Sequence, residues 1–192
     1  MFSLYLQLGF EHITDFNGYD HILFLIALAT VYMLKDWKKV LVLITAFTIG
    51  HSITLALSTL NYIKIPTDLI EFLIPVTIFI SALSDLFFNK IKNKKGVHKL
   101  KYVLAMFFGL IHGLGFSNYL RSLLGGEENI LSPLFAFNIG LEIGQIAIII
   151  IYLSLLAVLV LVLKLSQKYI ILITSSVIIL ISIFLMIDRF PY

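Results

Sequence analysis

Long apolar runs separated by short polar clusters set the pattern of this chain. Six of the runs approach the ~20 residues that an α-helix needs to cross a hydrocarbon core. They fall at about 19–34, 39–60, 67–88, 100–121, 132–163 and 168–187. The pattern predicts an all-α fold, a polytopic membrane helical bundle of about six transmembrane helices, built as one domain over residues 1–192. The fifth run is over-long, so it is expected to tilt, kink or project. Pro75 lies inside the third and should free a carbonyl near residue 71 and bend that helix. The segment Met1 to Phe10 has no basic leader and reads as a short interfacial stretch, not a cleaved signal.

Composition removes the soluble classes. Of 192 residues 60% are hydrophobic and only 13% charged, and mean hydropathy is +1.03, outside the range of globular domains. The absence of cysteine excludes disulfides, thiolate ligands and cysteine nucleophiles. The net charge of +3 matters through its placement. Lys35, Lys38 and Lys39 follow the first run; Lys90, Lys92, Lys94, Lys95, Lys99 and Lys101 follow the third; Lys164 and Lys168 border the turn after the fifth. The alternate connections carry Lys64, Arg121 and the acids Asp68, Glu127 and Glu128. Such asymmetry predicts lysine loops in the cytoplasm and both termini outside. His98 belongs to the basic loop and reads as a solvated surface residue.

The candidate chemistry lies in polar residues placed where lipid would be. His112 sits in Phe108-Gly-Leu-Ile-His-Gly-Leu-Gly-Phe116, bracketed by Gly109 and Gly113. Small residues at that spacing let a second helix approach closely, and Gly115 weakens the helix just beyond. In the second run Thr48, His51, Thr54 and Ser58 fall on one broad face. The rise of a helix puts His51 about 18 Å from Lys39 and His112 about 20 Å from Lys99, hence at similar depth. In the fifth run Asn138, Glu142 and Gln145 share a face, with Gly140 and Gly144 around the glutamate. Glu142 falls about 15 Å in from Ser132, where a carboxylate must be protonated, paired or metal-bound. A hydrogen bond to His51 or His112 would be the plain explanation. Near the mouth, Glu11, His12, Asp15, Asp20 and His21 gather within eleven residues, an oxygen-and-imidazole set suited to a divalent first-row cation. Glu71 is shallow enough to reach water at the same side. Asp85 is expected to bridge to the cytoplasmic lysines, and the last run, with Thr174, Ser175, Ser176 and Ser182, reads as scaffold.

Four of these stretches together resemble the HupE/UreJ family of small membrane proteins. They are His12-Ile to Gly18-Tyr-Asp-His-Ile-Leu-Phe24, Phe47-Thr-Ile-Gly-His-Ser-Ile-Thr-Leu55, Phe108 to Phe116, and Phe137-Asn-Ile-Gly-Leu-Glu-Ile-Gly-Gln145. They run in the family's order over about residues 9 to 150. The resemblance implies a nickel or cobalt permease of a bacterial inner membrane, with the family's His and Asp-His motif falling on His12, Asp20 and His21. Seven residues separate His12 from Asp20 here, against five in that pattern, so Asp20 and His21 carry the motif more firmly than His12.

Three functions follow from these residues. A divalent-metal permease would capture nickel, cobalt or zinc at the mouth and pass it inward. Its ligands would be His21, His51, His112, Asp20 and Glu142, supported by Glu11, His12, Glu71, Ser52, Asn138 and Gln145. Imidazole does not choose among the three metals. An intramembrane zinc hydrolase would instead build a three-histidine site with a water, using Glu71 or Glu142 as base and Ser52 at an oxyanion. Neither an HExxH helix nor a G-x-S-x-G elbow is present to support it. An accessory subunit held together by its polar residues is the third. The expected partners are the bilayer and the metal ion, and nothing in the chain points to nucleic acid.

Overall fold

The protein is described by a computed structural model covering residues 1–16, 18–88, 94–124 and 130–191. Lys90, Lys92, Glu127 and Glu128 lie outside the described residues. Among those described, the chain is all helix and turn. Its α-helices are α1 (Phe2–Thr14), α2 (Asp20–Ala29), α3 (Trp37–Thr59), α4 (Thr67–Phe88), α5 (Lys94–Gly115), α6 (Ser117–Leu124), α7 (Leu131–Ala157) and α8 (Gln167–Asp188). A 3-10 turn, Leu34–Asp36, leads into α3, and a π turn, Val158–Val162, prolongs α7.

Three pairings organise the bundle: α3 along α5, α1 along α7, and α4 along α8. The first two are parallel and are made by glycine. A Cβ at Gly50 would strike the Met106 carbonyl; one at Gly109 would strike that of Phe47, and one at Gly113 that of His51. Between α1 and α7 the same holds for Gly9 against Phe137 and Gly140 against Leu6. Backbones this close gain dispersion contact that larger side chains would deny them, which is how helices associate where lipid removes the hydrophobic drive. The glycines around His112 and Glu142 are thus points of close helix contact.

Four helices are long and apolar enough to cross a membrane: Leu34–Thr59, Thr67–Phe87, Leu131–Val162 and Gln167–Asp188. A fifth results if His98–Gly115 and Ser117–Leu124, bent by 49° at their junction, form one span. The chain is an integral membrane protein with four to five candidate crossings among the described residues. The difference from the expected six lies at 19–34. There α2 has 10 residues, about 15 Å of helix against a ~30 Å core. It ends at Ala29, ahead of the 3-10 turn. The stretch ahead of it is not a loose interfacial strip but α1, whose Tyr5, Gly9 and Ile13 are buried. The break at Gly115 falls where its weak helix propensity suggested. Pro75 is carried within an unbroken α4, and the over-long fifth run is one helix closed by the π turn.

The two ends of the bundle differ. At one, Lys39 pairs with Asp36 at 2.6 Å, Lys101 with Asp85, and the Tyr32 hydroxyl meets Nδ1 of His98 at 3.1 Å. His98 is thus engaged with Tyr32, not merely solvated. At the other, Arg189 reaches Asp20, Ser58 reaches Ser117, and Asn118 reaches Thr67. The histidines lie toward this second end, the mouth.

Candidate metal centre

Three separate elements bring histidine to one place. His12 comes from the last turn of α1, His21 from the first turn of α2, and His51 from the polar face of α3. One ring nitrogen of each lies within 4.8 Å of the other two. A tetrahedral ion with ~2.05 Å metal–nitrogen bonds holds its ligands about 3.3 Å apart. To bind one ion the nitrogens would close by up to about 1.5 Å. The His12 and His21 rings meet edge to face at 4.7 Å between centres. Nε2 of His12, Nε2 of His21 and both nitrogens of His51 are buried with no hydrogen-bond partner among the described residues. Unpaired imidazole nitrogens in an apolar interior are costly. A cation shared among them would satisfy one nitrogen of each ring.

His112 stands beside this trio. Its ring centre is 5.1 Å from that of His21, and it is fully buried. The Thr77 hydroxyl lies 2.7 Å from the Ile74 carbonyl and 2.9 Å from Nε2 of His112. With its single proton given to the carbonyl, the hydroxyl accepts from Nε2–H. That leaves Nδ1, which has no partner among the described residues, with the open lone pair. Phe24, Phe47 and Phe108 close the floor beneath: Phe24 is 4.8 Å from His112 and 4.8 Å from Phe47 between ring centres, and 6.0 Å from Phe108.

Above the trio the molecule opens. A cavity of about 280 Å³ is lined by His12, His21 and His112 with Asp15, Asp20 and Glu71. A second, of about 570 Å³, shares His12 and Asp15 and adds Glu11. Carboxylates along a low-dielectric cleft concentrate cations there. Asp20 lies behind His21, 3.7 Å from its Nδ1, and is held by Arg189 at 2.8 Å. An acid so placed acts on the imidazole through its charge while Arg189 balances it at the cavity wall. Glu11 accepts from Gln7 at 2.7 Å.

The other candidates lie apart. Glu142 is half-buried on the seam between α7 and α3, where Thr45 donates to its Oε1 at 2.9 Å. Gln145 accepts from Thr48 at 2.8 Å. Asn138 donates to the Leu134 carbonyl, and Ser52 to that of Thr48. Sequence reasoning passed over Thr77, Arg189 and Phe116, whose ring lies 4.0 Å from that of His12. Arg189 alone had a signal: it is basic at the end where lysines are few. No curated protein and no solved structure matches the chain. A protein-family comparison matches residues 1–189 to the family described as HupE / UreJ protein, and the chain belongs to that family.

Proposed function

We propose that the protein is a permease for a divalent transition metal, with nickel, cobalt or zinc as its cargo. The observation that carries this reading is the meeting of His12, His21 and His51 from three elements, with unpartnered nitrogens, below a carboxylate-lined mouth. Glu11, Asp15 and Glu71 attract the hydrated ion; the trio replaces its water with imidazole, which nickel, cobalt and zinc all accept. Nδ1 of His112 is the next ligand inward, and Asp20 orients His21. Glu142 stands off this route on its own seam.

The lysine distribution supports a mouth facing outward and a lysine end in the cytoplasm of a bacterial inner membrane. The zinc-hydrolase alternative has no support in the family match, and Ser52 and Glu142, named for its chemistry, are engaged elsewhere. Uptake of Ni²⁺ or Co²⁺ into proteoliposomes tests the proposal. Wild-type protein should carry the ion, and His21→Ala and His51→Ala should each lose both bound metal and uptake. Wild-type vesicles that carry no divalent metal under any gradient would sink it.

A further inference from the structure

His51 carries no polar anchor. Both of its ring nitrogens are buried without a hydrogen-bond partner among the described residues. A metal-binding histidine ordinarily gives its second nitrogen to an acceptor, and that bond sets the plane of the ring. His112 has Thr77 beside its Nε2, and His21 has Asp20 beside its Nδ1. What His51 has instead is phenylalanine. The Phe137 ring lies 6.5 Å from it between centres and only 15° from parallel, and Phe47 lies 6.0 Å away at 35°.

Phe137 touches His12 as well. Their ring centres are 5.8 Å apart, and Phe116, 4.0 Å from His12, stacks on Phe137 at 5.0 Å and 17°. Among the described residues no other phenylalanine has ring contact with both His12 and His51. The backbone repeats the arrangement. A Cβ at Gly9 would strike the Phe137 carbonyl, so α1 is held against α7 about one turn before His12. Just after His12, Ile13 packs on Gly144, where a Cβ would strike its Cγ2. Phe137 is fully buried, and a buried phenylalanine is most often there for packing alone. Here the packed ring joins two histidines from separate helices, one of them without any polar anchor.

We propose that Phe137 is a positioning residue of the metal centre: its ring fixes His12 and His51 relative to each other, so that one nitrogen of each faces the same ion. Aromatic packing does here what a polar partner does at His21 and His112. Ligands already held in the bound orientation spare the cost of ordering them when the ion arrives. The inference rests on the reading of the trio as a metal site. It also gives the stretch Phe137 to Gln145 a part in that site through its first residue, since Asn138, Glu142 and Gln145 bond elsewhere.

The test uses Co²⁺ and the purified full-length chain. Phe137→Leu removes the ring and keeps an apolar side chain. Co²⁺ affinity should fall roughly 10–100-fold, the range for a lost support of a metal-bound histidine. The visible absorption of bound Co²⁺, which reports ligand geometry, should change as well. Leu141→Ala is the packing control, because it opens a cavity at another fully buried position of α7. Its thermal midpoint should fall while Co²⁺ affinity and spectrum stay as in wild type. Should Phe137→Leu not fold, Phe137→Met, whose flexible side chain fills the space better, decides on the same two readouts. Unchanged affinity and spectrum in the Phe137 variant overturn the proposal, as does an equal loss of affinity in Leu141→Ala. Wild-type protein that binds no Co²⁺ would sink the metal-site reading instead, a separate result.

Discussion

The Thr77 hydroxyl lies 2.9 Å from Nε2 of His112 and fixes which nitrogen of that ring is left open. The two residues come from helices that the sequence does not pair. Under the proposed function their bond would settle which nitrogen His112 offers, because the nitrogen a histidine offers is set by what its other nitrogen meets.

Thr77→Val keeps the shape and removes the acceptor. The buried Nε2–H is then orphaned, at a cost of about 1–3 kcal/mol. Loss of such a supporting partner weakens metal handling by roughly 10–100-fold. Cobalt binding at the trio should persist while uptake falls in that range, measured on the same preparation. Full uptake would take His112 off the route.

Gly113 and Gly96 sit on the same helix and should respond oppositely. A Cβ at Gly113 would meet the His51 carbonyl and the Thr54 hydroxyl, so α3 and α5 must separate. Such overpacking costs about 1–3 kcal/mol. At Gly96 nothing lies within 4 Å, and alanine should stabilise the helix by about 0.5–1 kcal/mol. Thermal midpoints of Gly113→Ala and Gly96→Ala in detergent check both signs.

What was legible in the sequence follows from linear helical geometry. The polar face of α3 came out as read, with Thr48, His51, Thr54 and Ser58 all buried. The matched depth of His51 and His112 also came out, since the Gly113 contact places α5 beside His51. The break at Gly115 announced itself through propensity. The first span did not. Hydropathy reads 19–34 as continuous, but α2 stops at Ala29, and Gln167 reaches across to the Val31 carbonyl at 3.4 Å. Partners across the bundle were equally hidden. That Asp20 answers to Arg189, and Glu142 to Thr45, depends on which helices share a seam, and no periodicity along one helix records that.

Arg189→Gln removes the partner of a carboxylate that is only 7% exposed. Asp20 is left poorly compensated, and stability should fall by about 1–3 kcal/mol. A cation at the adjacent histidines supplies part of the missing charge. The thermal midpoint of this variant should therefore recover with added Ni²⁺ more than that of wild type does. Equal gains in both would mean that Asp20 does not sense the bound ion.

The orientation can be read directly because the chain has no cysteine to mask the result. Lys38 and Tyr62 are exposed at opposite ends of α3, Tyr62 just beyond its last turn. In intact cells a cysteine at Tyr62 should react with an impermeant thiol reagent, and one at Lys38 should react only after the membrane is opened. The reverse pattern would invert the proposed direction of the mouth.

Glu142→Gln separates the two seams of the bundle. The glutamine carbonyl can still accept from Thr45, so the change removes charge and little else. The histidine trio comes from α1, α2 and α3 and the Thr77–His112 bond joins α4 to α5, whereas Glu142 bonds Thr45, about 9 Å along α3 from His51. The Glu142 carboxylate bonds Thr45 and no histidine among the described residues. Cobalt binding should therefore be unchanged and uptake should stay within about twofold of wild type. A collapse of uptake with binding intact would move the inward path to the α3–α7 seam, beside Asn138 and Gln145.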